Sequence, residues 1–429
     1  MLLNNYLYNI LIKYLWNCLD NIQFNDDNSV IQFNEHRKWC LSSVSLVCWN
    51  FYKITRSLND SISLSSEKID LFLQYKNKNS IFSNINTNQL YSLHIDIVSP
   101  LTISESILSS LFNNINILSL RFPSNHGSIQ LSPTIHHETV KQNNKSIRQL
   151  TINYNDDLSI FDSESFILTL LSLKSLEHVC LKVGSDPATF KLLISLPSYC
   201  SQITTLELVD YDSNGSISWE YLNSPQTLFG QCLSKLTNLK SLKIELKGTI
   251  AFLQMLDQFQ DHLLAYLKTD VQLKRLSLFR RLLLMNSKPL LEFLFQQYQC
   301  LEELEIGSNY IFPIEIPFKK LSLTVRNRLD DQIIQSFNRV KSLTLYNKPQ
   351  FNRSYNGECD ILTRVIQLNQ IACLSITFQV GFLLIVNNQL IEAINNNQTL
   401  QYLYITGNIK SKEKLSQLLD IHPTIRNKI

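Results

Sequence analysis

The 429 residues carry 39 Lys+Arg against 36 Asp+Glu, a formal net charge of +3, so no strong field favours a nucleic acid or a membrane surface as partner. Hydrophobic residues make up 44%, enough for a sizeable core, yet no apolar run approaches the roughly 18–20 residues of a membrane span. Nine Cys, separated by 8 to 132 residues, fit neither a disulfide framework nor a CxxC zinc pair, and reduced thiols in the cytoplasm (or nucleus) are the expectation.

The first expected element in chain order is a short helix. Leu3, Leu7, Leu11 and Leu15 lie four apart with Ile12 beside them, which makes one apolar stripe. This opening lacks a basic n-region and a small-residue cleavage site, so it does not read as a signal peptide. Asn21–Asn34, rich in Asn and Asp, is expected to be a loop. A second apolar segment, Trp39–Tyr52, contains Val47, Cys48 and Phe51. Residues 1–60 thus form a helical segment. Residues 61–88 form a linker or the ragged start of a repeat array, because Lys76–Asn88 is polar and Asn-rich.

From residue 89 to 429 one phrase returns: apolar, two residues, apolar, one residue, apolar. It begins at Leu90, Ile115, Ile147, Leu176, Ile203, Leu239, Leu273, Leu301, Phe318, Val340, Ile371 and Leu400. With 72 Leu and 44 Ile in the chain, one such phrase arises easily by chance. Twelve copies, spaced 17 to 36 residues with a mean of about 28, do not, and they mark a repeat array.

The last two apolar residues of each phrase are two apart and share one side of a short strand. The residue between them faces the other way. Those positions hold His94, Ser119, Thr151, Cys180, Glu207, Lys243, Ser277, Glu305, Ser322, Thr344, Ser375 and Tyr404, nearly all polar or small. Between strands the spacing turns helical. Phe252, Leu256, Phe259, Leu263 and Leu267 alternate with Asp257, Asp261 and His262, while Ile333, Phe337 and Val340 follow the acids Asp330 and Asp331. A single unit is not self-sufficient. Three buried aliphatics supply about 1.5–3 kcal/mol each, against about 1–2 kcal/mol of backbone entropy per ordered residue. Neighbouring units must share one core.

These phrases resemble leucine-rich repeats, whose unit is LxxLxLxxN. The resemblance implies an α/β solenoid, curved, with parallel strands on the concave inside and helices outside. The wet strand positions His94, Thr151, Glu207, Lys243, Ser277, Glu305, Thr344 and Tyr404 are then the candidates for contacting a partner. The Asn slot departs from the pattern: only Asn155, Asn309 and Asn408 fill it. Family members tie adjacent turns with that Asn, so an irregular array is expected.

Residues 1–60 resemble an F-box. Leu3 matches its opening Leu, Leu7 the first of the next pair, Leu11 and Ile12 the pair after, and Leu15 the last. Val47 and Cys48 match its Val-Cys, and Phe51 stands in its Trp slot. Asn4 occupies the Pro slot, and the two halves are further apart than usual. The Asn- and Ile-rich composition is similar to that of the F-box-like leucine-rich-repeat proteins of social amoebae (dictyostelids). The resemblance implies a non-catalytic substrate adaptor of a cullin-type (SCF) ubiquitin ligase. Its N-terminal segment would hold the ligase's linker protein and thereby the cullin, and its solenoid would hold an unknown target protein. The alternative is an interaction scaffold without a ubiquitin link, its N-terminal helices serving only as a cap.

Catalytic readings find little support, and no enzyme activity, metal or cofactor is expected. Nine Gly, the closest two fifteen apart, exclude a phosphate-cradling loop. In His136-His137-Glu138 the adjacent His side chains point apart, which suits a surface loop better than a metal set. Cys180 and His178 are two apart on a strand, but no third orienting group is evident. Cys40 and Cys48 read as small buried hydrophobes. Arg280-Arg281 and Arg326-x-Arg328 read as solvated loop charge. The asparagines Asn387-Asn388 and Asn395–Asn397 read as compositional, without a packing role.

Overall fold

Each apolar phrase becomes a buried strand edge. All three apolar residues of all twelve phrases are buried, none more than 4% exposed, in the computed structural model. The structure describes residues 61–69, 90–98, 101–104, 107, 112, 115–122, 129–131, 146–154, 167–183, 196, 198–210, 233–245, 260–269, 271–278, 288–307, 318–325, 331–347, 358–378, 383–406, 408–410 and 426–428. The F-box-like residues Leu3, Leu7, Leu11, Ile12, Leu15, Val47, Cys48 and Phe51 lie outside them, as do His136–Glu138, Arg280-Arg281 and Arg326–Arg328. The chain divides into two compact units, Met1–Val179 and Cys180–Ile429.

The first unit contains β1 (Ser61–Ser65), β2 (Ser92–Asp96), β3 (Leu101–Ile103), β4 (Ile117–Phe122), β5 (Ile129–Leu131) and β6 (Gln149–Tyr154). Strands β1, β2, β4 and β6 are neighbours in that order, all parallel. Ile62, Leu93, Leu118 and Leu150 stand side by side. The array therefore extends at least one strand before the first phrase. Strand β1 offers Ile62 and Leu64 opposite Leu93 and Ile95 but lacks the leading apolar residue. Strands β3 and β5 pair separately, just beyond the ends of β2 and β4. Strand β7 (His178–Val183) carries the division between the units.

The second unit contains β8 (Thr205–Asp210), β9 (Ser241–Glu245), β10 (Arg275–Leu278), β11 (Glu303–Gly307), β12 (Lys320–Val325), β13 (Ser342–Asn347), β14 (Cys373–Phe378), β15 (Leu383–Ile385), β16 (Tyr402–Thr406), β17 (Asn408–Lys410) and β18 (Arg426–Lys428). Strands β8 to β14, then β16 and β18, pair in parallel in chain order, while β15 and β17 form a separate pair. Strictly parallel pairing follows from the crossover connections, which return the chain to the same end of the sheet each time. The register is constant. Leu206, Leu242, Leu276, Leu304, Leu321, Leu343, Leu374 and Leu403 form one row. It survives the 17-residue spacing from Leu301 to Phe318 and the 22-residue spacing from Phe318 to Val340.

Helices occupy returns where the sequence period changes. They are α1 (Lys288–Gln296), α2 (Asp331–Ser336), α3 (Glu358–Gln367) and α4 (Asn388–Asn396). Residues 260–267 are also helical, with Leu263 and Leu267 buried and Asp261 exposed, as the spacing predicts. In α4 the buried residues Leu390, Ala393 and Ile394 are three and four apart. Its N-cap is Asn387, whose Oδ1 accepts the Leu390 N–H at 2.8 Å. After α3, Asn369 adopts φ 51°, a left-handed conformation that asparagine tolerates at a helix end. Its Oδ1 accepts the Gln398 N–H at 2.9 Å.

These bonds correct the compositional reading of the asparagines. Asn397 is buried. Its amide donates to the Ile366 carbonyl, and its Oδ1 accepts the N–H groups of Thr399 and Leu400 at 2.9 and 2.7 Å. Among the described residues these ties sit before the strand; Asn155 and Asn309 of the slot after it lie outside the described residues. The residue just ahead of a phrase repeatedly makes such a tie. Ser175 Oγ donates to the Ile147 carbonyl at 2.8 Å and Ser146 Oγ to the Phe112 carbonyl at 2.9 Å. Tyr298, three residues ahead of Leu301, uses one hydroxyl twice. It donates to the Val271 carbonyl at 2.6 Å and accepts the Leu273 N–H at 2.8 Å. A backbone device recurs beside these ties. The Lys240 carbonyl accepts both the Lys274 and Arg275 N–H, at 2.8 and 3.0 Å, and the Lys274 carbonyl accepts those of Glu302 and Glu303.

Candidate functional site

Side chains two apart on a strand share a face, and a constant parallel register turns them into rows across strands. The candidate positions therefore line up within each unit. In the first, Ser63, His94, Ser119 and Thr151 are side by side. In the second, Glu207, Lys243, Ser277, Glu305, Ser322, Thr344, Ser375 and Tyr404 are. All of these side chains are exposed or half-buried, in contrast to the leucine row beside them. The exception among the in-between positions is Cys180, which is buried at 6% exposure. Burial first, then the Glu207 carboxylate, pushes its thiol up to about 11 against the opposing pull of Lys182 and Lys243. That thiol stays protonated near neutral pH and is a poor nucleophile.

In the first unit His94 is flanked along its strand by Ser92 and Asp96. Ser92 Oγ and His94 Nε2 lie 3.1 Å apart. Although His94 is exposed on this face, desolvation of its ring by neighbouring groups lowers the imidazole below its ordinary 6.5, with Asp96 acting in the opposite direction. The ring is thus neutral at physiological pH and serves as a hydrogen-bonding group rather than a cation.

The polar face of the second unit changes character along its length. Strands β8 to β12 present Glu207, Lys243, Glu245, Arg275, Glu303, Glu305 and Lys320. Five of these charges pair with one another. Glu303 Oε2 lies 3.6 Å from Arg275 Nε and 3.4 Å from Lys320 Nζ. Lys243 Nζ lies 3.4 Å from Glu245 Oε2, and Ser277 Oγ donates to Glu305 Oε2 at 2.8 Å.

The next three strands carry no charge on this face. Strand β13 presents Ser342, Thr344 and Tyr346. Strand β14 presents Cys373, Ser375 and Thr377, and β16 presents Tyr402, Tyr404 and Thr406. The Tyr402 and Tyr404 rings stack, centroids 6.4 Å apart and planes within 2°. Burial, then Cys373 and Tyr402, hold the Tyr404 phenol above its ordinary 10.0. In sequence alone this face looks like a uniform mixture. The segregation emerges only once the register places neighbouring strands together.

A concavity of about 650 Å³ lies between α3 and α4, with Arg364, Gln367, Gln389, Glu392 and Asn396 on its walls. Its floor includes Asn397, already committed to the turn. Among the described residues no three His, Cys, Asp or Glu side chains gather as a metal set. Cys180, Cys200, Cys300 and Cys373 are thiols, not disulfides. No helix among the described residues is long and apolar enough to cross a membrane.

No family model and no curated protein matches the chain.

Proposed function

We propose that this chain is a non-catalytic protein-recognition module, the target-binding adaptor of a cullin-type ubiquitin ligase. The observation that carries the reading is the polar row from Glu207 to Tyr404, held in constant register above a fully buried leucine row. A rigid sheet that offers side chains at fixed spacing is suited to shape-specific contact with another protein. The parallel strands alternating with helices support a curved leucine-rich-repeat solenoid as the framework. Leu3, Leu7, Leu11, Ile12, Leu15, Val47, Cys48 and Phe51 would hold the ligase's linker protein, through which the cullin is recruited. The face would hold the protein to be ubiquitinated. Such an adaptor forms no covalent bond. It acts by tethering, which raises the effective concentration of target at the ligase.

Co-precipitation of the linker protein and cullin with the full chain, lost when residues 1–60 are deleted, is the expected result. The double variant Leu11→Asp, Val47→Asp loses the linker protein while circular dichroism of the repeats is unchanged. Recovery that persists without residues 1–60, or no recovery at all, leaves the second reading. In it the same face serves an interaction scaffold with no ubiquitin link, and residues 1–60 only cap the array.

A further inference from the structure

We propose that the uncharged strip on β13, β14 and β16 is the part of the face that seats a partner, and that it takes an uncharged polypeptide segment offering backbone and carboxamide groups. The inference deepens the reading of the strand face as a protein-binding surface and rests on it.

The charge pattern carries the argument. On β8 to β12 most ionic groups are already engaged, Lys243 with Glu245, Arg275 and Lys320 with Glu303, and Glu305 with Ser277. A partner charge docking there must compete with an existing pair. On β13, β14 and β16 every side chain of this face is Ser, Thr, Tyr or Cys. A carboxylate or ammonium pressed onto β13 and β14, away from the β18 border, would lose hydration without gaining an opposite charge. An amide would not, because hydroxyls both donate and accept. The strip spans about 10 Å across three strands and about 14 Å along them, room for a short extended segment.

Tyr402 and Tyr404 give the strip its anchor. Their stacked rings offer wide contact area at little cost in side-chain entropy, with a polar tip on each. One border is Lys320, engaged by Glu303. The other is β18, where Arg426 and Lys428 stand in register beside Tyr402 and Tyr404. That border bounds the uncharged footprint and supplies the sharpest alternative, an acidic segment drawn to β18.

The test is selection of a phage-displayed library of random peptides on the full-length chain, followed by fluorescence anisotropy of the enriched peptides. The expected peptides are net neutral and rich in Asn, Gln, Ser and aromatic residues. Their affinity changes by less than about twofold between about 0.05 and 0.5 M salt. It falls about tenfold or more in Tyr404→Ala and in Thr344→Lys, and is unchanged in Glu207→Lys. Tyr404→Phe, which keeps the ring, separates loss of the hydroxyl from loss of the surface and is expected to bind more tightly than Tyr404→Ala. Enriched acidic peptides whose binding falls with salt or with Lys428→Ala overturn the proposal. So do peptides lost in Glu207→Lys, an empty selection, or a glycan panel that binds the strip where peptides do not. Peptides mapping to β8–β12 would sink the strip while sparing the strand face as a binding surface. The ligase link fails separately, through the deletion of residues 1–60.

Discussion

Asn397 donates its side-chain amide to the carbonyl of Ile366, thirty-one residues earlier in the chain. The same side chain accepts from Thr399 and Leu400, so one buried group fixes where α3 ends and where β16 begins. Asn397→Ala would leave the Ile366 carbonyl and two N–H groups without that partner, each a loss of about 1–3 kcal/mol when buried. The expected result is a fall of about 3 kcal/mol or more in urea unfolding. Asn388→Ala, on the exposed first turn of α4, is the control and should change stability by no more than about 0.5 kcal/mol.

The alternation of each strand is testable at two adjacent residues. Leu242 is 1% exposed, and Leu242→Ala should cost about 2–5 kcal/mol. Lys243→Ala should cost less than about 1 kcal/mol, since its pairing with Glu245 lies on the surface. Equal effects in chemical denaturation would contradict the assigned faces.

Tyr298→Phe removes a hydroxyl that joins Val271 to Leu273 and should destabilise by about 1–3 kcal/mol. Burial raises the Tyr298 phenol above its ordinary 10.0, opposed by the Leu273 hydrogen bond and reinforced by Cys300. A raised native pKa means that the unfolded chain ionises first. The contribution is therefore complete below pH 10.0 and is lost as pH climbs through the native value. Stability measured in alkaline buffers should fall less steeply in Tyr298→Phe than in the parent.

Cysteine reactivity should follow burial and environment. At about pH 8, iodoacetamide should modify the half-buried Cys373 and spare Cys180, with its thiol pushed up to about 11, until the chain unfolds. Peptide mass spectrometry of the alkylated protein reads both sites. Early labelling of Cys180 would reopen the case for a nucleophile there.

The strands were legible because burial on one side imposes a period of two. Leu242 and Ile244 flank Lys243, and that contrast survives any change in spacing. The parallel pairing followed from helical spacing between phrases. Strand β1 was harder to read, since Ile62 and Leu64 lack the leading apolar residue that marks the other repeats. Strands β3, β5, β15 and β17 are three residues long, too short for any period to show. The ties ahead of the phrases carried no sequence signal, because Ser146, Ser175, Tyr298 and Asn397 share no common residue type or offset. The third residue before each start is apolar in seven of the twelve phrases, Phe112, Leu173, Cys200, Leu236, Tyr298, Phe337 and Leu368, a column that Thr87, Asn144, Asp270 and Glu315 interrupt. Asn397 stands in that column and substitutes a side-chain bond to Leu400 N–H for the backbone bond that Phe337 supplies to Val340. The division of the polar face into charged and uncharged parts depends on which residues of distant phrases become neighbours.

The doubled bond at each strand entry, as at Lys240 with Lys274 and Arg275, has an evolutionary corollary. Each rung is clamped at its point of arrival, so the stretch of chain leading to it is released from any metric. Insertions and deletions can accumulate there without dislodging a rung, which is how spacings from 17 to 36 residues coexist with one uninterrupted leucine row in the second unit.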